Sequence, residues 1–182
     1  MKKYLVVLMI ILMTAMLFAG CGNQVADEPE PEGAAAENEP EAEATTKVIT
    51  DMAGSEVEIT TNVQRVVNLW PASNSAMLCM GAGDKLVGTM DFTKSLPWSQ
   101  FVYPGIVDVP TATDNAEELL KINPDLIITP TDDVAVKLRE SGLPAINLMF
   151  ANYDQMKRAF AILGDALGEE YASKAAAWSE LV

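Results

Sequence analysis

The chain has 182 residues, enough for one or at most two domains. It carries a formal charge of −14, which argues against nucleic acid or an anionic lipid surface as a partner. It has no histidine and only two cysteines, which excludes a zinc site built from those residues.

The N-terminus reads Met1-Lys2-Lys3 followed by an apolar run from Tyr4 to Ala19, the layout of a secretory signal peptide. The run is long enough to span a bilayer, but a cysteine at the cleavage boundary and an acidic spacer behind it favour a cleaved signal over a permanent anchor. Leu17-Phe18-Ala19-Gly20-Cys21 resembles the lipobox of bacterial lipoproteins. The resemblance implies a signal over residues 1–20 and diacylation of Cys21. It also implies a protein held to the membrane by lipid on the extracytoplasmic face, periplasmic or extracellular. Cys79 is then the remaining thiol, so no intramolecular disulfide is expected. Its setting, Ala76-Met77-Leu78-Cys79-Met80, suggests a buried, inert one. Residues 21–46 are rich in Glu, Ala and Pro with few large apolar side chains, and are expected to be a disordered, extended acidic linker.

An α/β region is expected over 47–168. Val48-Ile49-Thr50 and Glu56-Val57-Glu58-Ile59 alternate around Asp51-Met52-Ala53-Gly54, the pattern of a small hairpin. Short apolar runs then alternate with helical patterns. Strands are predicted at Val66–Leu69, Leu86–Thr89, Asp125–Thr129 and Ala145–Met149, with a weaker one at Gly105–Val107. Helices are predicted at Ser73–Met80, at Asn115–Ile122 capped by Asp114 or Asn115, and at Asp132–Glu140, which stops at Ser141-Gly142. Continuous apolar strands alternating with helices indicate a parallel sheet flanked by helices on both faces. Ligands of such sheets bind beyond the carboxyl ends of the strands, here the loops after Leu69, Thr89, Thr129 and Met149. Asn152 to Val182 reads as helix, with Gly168 a candidate break before Glu169. The pattern ends at Leu181-Val182 without Gly, Pro or a basic last turn, which reads as an incomplete chain.

From Val48 onward the sequence resembles the substrate-binding lipoproteins that deliver ferric siderophores, haem or cobalamin to ABC importers. Asp51-Met52-Ala53-Gly54 with Val57 and Ile59 resembles the opening hairpin of that family, and Arg65-Val66-Val67 its first sheet strand. Gly81-Ala82-Gly83-Asp84-Lys85-Leu86-Val87-Gly88 is similar to its helix-to-strand turn. The most specific stretch is Asn115-Ala116-Glu117-Glu118-Leu119-Leu120-Lys121-Ile122-Asn123-Pro124-Asp125-Leu126-Ile127-Ile128. The fold implied is two α/β lobes joined by a long helix with ligand between them. Here that corresponds to the N-terminal lobe, with 169–182 as the start of the joining helix and a C-terminal lobe absent. Members often carry a glutamate on the first helix that docks on importer arginines; Ser75 stands at that position, which removes the salt bridge.

Two loops stand out as ligand-binding candidates. Trp70-Pro71-Ala72-Ser73-Asn74 enters a helix and offers backbone N–H groups and a flat indole; Trp70 also suits a core position, and Ser73 or Asn74 an N-cap. Asp91-Phe92 with Trp98 and Tyr103 fall in what reads as a long loop, where aromatics could stack on a corrin, a porphyrin or catecholate rings. Thr129-Pro130-Thr131 ends the strongest strand and is expected to face the same cleft, with Asp132 as a helix cap. Without histidine, haem would have only Tyr103 or Tyr153 as axial ligand, and a preassembled chelate suits the chain better than a bare metal ion. A nucleophile would lack a histidine base, and no G-x-S-x-G or phosphate-loop motif occurs, so no enzymatic activity and no cofactor are expected. The resulting expectation is a solute-binding lipoprotein that hands a metal chelate to an ABC permease. The alternatives are a one-lobed surface lipoprotein acting as sensor or interaction module, or a non-functional fragment.

Overall fold

A computed structural model describes residues 45–181. The expectations for the export signal, for Cys21 and for most of the acidic linker lie outside the described residues, as does Val182. Two strands, β1 (Thr46–Thr50) and β2 (Glu56–Thr60), form the antiparallel hairpin with Thr46 opposite Thr60. β1 thus begins one residue before the expected boundary, an ordinary discrepancy for an element end. Alternation turns Ile49, Val57 and Ile59 into the core and the charged residues outward.

The hairpin turn is held by one carboxylate. Asp51 is fully buried, and its Oδ1 accepts the Ala53 and Ser55 N–H groups at 2.9 Å each. Its Oδ2 accepts the Asn147 N–H at 3.0 Å and lies 3.5 Å from the Arg139 guanidinium. The Met52 N–H donates to the Asn147 carbonyl at 2.9 Å. The turn thereby covers the open edge of the last sheet strand, which would otherwise expose unpaired backbone groups.

The main sheet has four parallel strands in the order β4-β3-β5-β6: β3 (Val66–Asn68), β4 (Leu86–Thr89), β5 (Leu126–Thr129) and β6 (Ala145–Asn147). Val66 pairs with Leu126 and Ile128 with Ile146, while a bulge in the β3–β4 pairing leaves Val87 as the extra residue. Neighbouring side chains point to opposite faces, and both faces are covered. Val66, Leu126, Ile128 and Ile146 share a core with the hairpin, α1 (Pro71–Cys79) and α6 (Tyr153–Leu167). Val67, Ile127 and Ala145 pack beneath Leu119 of α4 (Ala116–Ile122) and Leu138 of α5 (Asp132–Glu140). The parallel α/β expectation is thus met.

Several local expectations are corrected. The stretch after β4 is not an open loop but two short helices, α2 (Asp91–Ser95) and α3 (Pro97–Val102), and a 3₁₀ turn at Pro104–Asp108. Pro97 and Pro104 each open their helix, where a fixed φ and a missing N–H cost nothing. Gly105–Val107 is therefore part of that turn, not a strand. Its place beside β4 is taken by a short bridge, in which the Thr89 N–H donates to the Pro110 carbonyl at 3.0 Å and the Ala112 N–H to the Thr89 carbonyl at 2.8 Å. Asn115, not Asp114, caps α4, its Oδ1 accepting from the Glu117 N–H at 3.0 Å. Thr131 occupies the cap position of α5, so Asp132 is already helical. Cys79 is exposed: α1 buries Ala76, Met77 and Leu78 and turns Cys79 outward, as one stripe of a short helix must. Partial shelter still pushes its thiol pKa up.

The C-terminal helical run breaks at Gly168 (φ 112°), a backbone state that disfavours any side chain. The second part, α7 (Glu169–Leu181), folds back on α6. Gly164 permits this close approach, since a Cβ there would sit 2.9 Å from the Ala172 Cα. Phe160 and Trp178 stack between the helices at 3.9 Å.

Candidate ligand-binding site

Sheet order fixes where a site can form. The chain starts at β3, steps out to β4, then returns to the other side of β3 with β5. Loops leaving β3 and β5 diverge, and a crevice opens beyond their carboxyl ends. A cavity of about 500 Å³ lies there. Its floor is Leu69, Ala112 and Val134. Its walls are Met90, Asp91 and Phe92 after β4, Thr111, Thr113 and Asp114 from the bridging segment, and Thr129, Pro130 and Thr131 after β5.

Each wall is positioned by local chemistry. Phe92 stands 61% exposed on the first turn of α2, with its ring on the cavity wall. Beside it, the Asp91 carboxylate accepts the Thr111 hydroxyl, and the Lys94 amine sits 3.1 Å away. These contacts, the Thr111 hydrogen bond foremost and Lys94 second, hold the Asp91 pKa below its usual range. Lys94 also donates to the Thr111 hydroxyl at 2.8 Å and the Val109 carbonyl at 3.2 Å. After β5, the Thr131 N–H points at the Thr129 hydroxyl at 3.4 Å, which draws both hydroxyls to the same rim.

The segment from Trp70 to Asn74 acts as scaffold next in sequence to the lining residue Leu69. Ser73 and Asn74 are fully buried. The Ser73 hydroxyl donates to the Asn68 side-chain oxygen at 2.7 Å, and the same oxygen accepts the Trp70 N–H at 3.1 Å. Asn74 Oδ1 accepts from the Thr89 hydroxyl at 3.4 Å. Pro71 and Ala72 form the first turn of α1, with Trp70 at the cap position and no side chain satisfying it. The Trp70 ring packs against Phe150 at 4.7 Å. Phe150 in turn borders a shallower hollow of about 260 Å³ with Asn152, Tyr153 and Met156, in the loop after β6.

The structure therefore gathers Asp91, Phe92, Thr129, Pro130 and Thr131 around one cavity, whereas none of Trp70, Pro71, Ala72, Ser73 and Asn74 lines it. It does not bring Trp98 or Tyr103 there. Trp98 is half-exposed on α3. Tyr103 lies over Gly83 and Gly105 and lines a separate hollow with Asp84 and Tyr171, beside the turn that enters β4. Sequence reasoning missed Thr111, Thr113 and Asp114; a polar run of three hydroxyl or carboxyl residues before a helix cap was their available signal. Among the described residues no cluster of acidic, histidine or cysteine side chains could hold a metal ion, and no helix is long and apolar enough to cross a membrane.

A parallel sheet covered on both faces, with its crevice beyond the strand ends, is the lobe architecture of periplasmic solute-binding proteins. A periplasmic solute binding protein from Veillonella parvula superposes on it with a TM-score of 0.67 at 23% identity, over 75% of this chain and 45% of that one. No protein-family model matches the chain. Two curated relatives are lipoproteins, one of them an ABC transporter substrate-binding lipoprotein. The latter, the uncharacterized YvrC from Bacillus subtilis, is 24% identical over 178 residues. A probable siderophore-binding lipoprotein of the same organism, YfiY, is 26% identical over 132 residues. These alignments cover 93% and 70% of this chain but only 53% and 37% of the two relatives, so the chain spans about half or less of their length.

Proposed function

We propose that this chain is a solute-binding lipoprotein of an ABC importer. It takes up a metal chelate (a ferric siderophore, cobalamin or haem) at the carboxyl edge of its sheet and presents it to a membrane permease. The observation that carries the reading is the cavity at the strand-order reversal, ringed by threonine hydroxyls and an exposed phenyl ring. Its size and mixed lining suit a small molecule held by stacking and hydrogen bonds, without covalent chemistry. The two lipoprotein relatives, one of them of an ABC transporter, support the same class and an anchor through Cys21. Neither Tyr103 nor Tyr153 lines this cavity, which favours a chelate that asks for no axial ligand from the protein. Docking on the permease would proceed without a glutamate at position 75, since the Ser75 hydroxyl turns back to the Pro71 carbonyl at 3.0 Å.

Equilibrium dialysis tests the reading. The folded chain is dialysed against a ferric siderophore, cyanocobalamin or haemin in turn. Saturable retention of one of them, weakened in Phe92→Ala, is the expected result. Retention of none by a protein that circular dichroism shows to be folded would remove it.

A further inference from the structure

The charged residues that line the cavity are of one sign. Asp91 and Asp114 line it, and no lysine or arginine does. The nearest amine, Lys94, is already engaged by Asp91, Thr111 and a backbone carbonyl. Asp132 and Asp133 occupy the first turn of α5 directly after Thr131, where they offset the positive end of that helix. Arg139, the guanidinium nearest to Asp132, is tied to Asp51 and the Ala145 carbonyl. Asp114 takes part in none of the ion pairs found among the described residues. Its charge therefore acts on whatever enters. The Asp91 and Asp114 carboxylates are both exposed to solvent, so their field acts at short range and is screened by salt.

We infer that the cavity selects neutral or cationic chelates and rejects polyanionic ones. The inference rests on the solute-binding reading and narrows its substrate class. A ligand whose metal is wrapped by neutral or positively charged donor arms gains from Asp114, which has no ion-pair partner among the described residues, and from the face of Phe92. A chelate with several net negative charges meets the unpaired Asp114 carboxylate, while the Lys94 amine beside the cavity is already neutralised by Asp91, the arrangement by which sites exclude a wrong partner.

The test is isothermal titration calorimetry of the full chain at fixed ionic strength. The two probes are ferrioxamine B, a cationic ferric trihydroxamate, and ferric enterobactin, a trianionic ferric tris-catecholate. The cationic probe is expected to bind at least about tenfold more tightly. Asp114→Asn is expected to shrink that ratio, as is added salt. This variant is preferred to Asp91→Asn because it breaks no ion pair. Equal or tighter binding of the anionic probe would overturn the charge rule while leaving the solute-binding reading in place. An unchanged ratio in Asp114→Asn would likewise overturn it. Binding of neither probe, nor of cyanocobalamin as a further neutral or weakly charged chelate, would remove the reading and the charge rule together.

Discussion

The two ends of the sheet use their polar residues in opposite ways. At the amino ends, Lys85, Asp125 and Arg65 are each consumed internally. Lys85, almost fully buried, donates to the Val63 carbonyl and the Gln64 side chain at 2.9 Å each. Asp125 accepts the N–H groups of Gln64 and Arg65 at 2.8 Å, and the Arg65 guanidinium returns to the Ile122 and Asn123 carbonyls. At the carboxyl ends, Asp114, Thr113 and Phe92 face an open cavity. Groups at one end fasten the chain to itself, and groups at the other are left for something else. Burial and hydrogen-bond satisfaction, more than residue type, separate the two.

That contrast can be broken at either end. The largest expected effect is on stability. Asp51→Ala removes a buried carboxylate that joins the hairpin to β6 and leaves the Ala53, Ser55 and Asn147 N–H groups without their acceptor, and is expected to cost about 3–5 kcal/mol in denaturant unfolding. Lys85→Met keeps the volume but leaves the Val63 carbonyl unpaired, and is expected to cost about 1–3 kcal/mol without altering ligand affinity. A measurable affinity change there would contradict the division of labour. Phe92→Ala should do the reverse. It is expected to shift stability by no more than about 0.5 kcal/mol, since the ring is mostly exposed, while weakening chelate binding about tenfold.

The smallest effect concerns pH. The Asp91 pKa is lowered by Thr111 and then Lys94. Its contacts are thus fully present above the ordinary carboxylate value of about 4 and are lost only as pH falls below it. Binding titrations between about pH 7 and about pH 5 are expected to show no loss of affinity attributable to this group. A fall within that window would mean that Asp91 is not held ionised.

Much of the fold was legible in the sequence. The apolar runs Leu126–Thr129 and Val66–Asn68, fully buried on both faces, leave little alternative to a parallel sheet. Lipobox, hairpin and the Asn115–Ile128 stretch pointed to the class that the homologues share. What escaped reading was local. Proline at the first position of α3 and of the 3₁₀ turn looks from sequence like loop punctuation, because those helices are too short to show a period. Cys79 was misjudged because a run of apolar residues does not reveal which of them faces out. The site was half legible: strand ends located Thr129 to Thr131 and Asp91-Phe92. Tyr103 could not be separated from them, since only three-dimensional packing sends its ring toward Gly83. Thr111 to Asp114 joined the site through a bridge to β4 that no local pattern encodes.

The most direct test of the account is residue-resolved. Uniformly ¹⁵N-labelled chain would be titrated with a gallium trihydroxamate, a diamagnetic stand-in for the ferric chelate, and amide shifts followed by NMR. The account predicts saturable shifts at Phe92, Thr113, Asp114 and Thr131, with Lys85, Tyr103 and Tyr171 unmoved. Shifts centred on the Tyr103–Tyr171 hollow instead would contradict it, because the ligand would then bind at the amino end of the sheet and not in the crevice beyond the carboxyl ends.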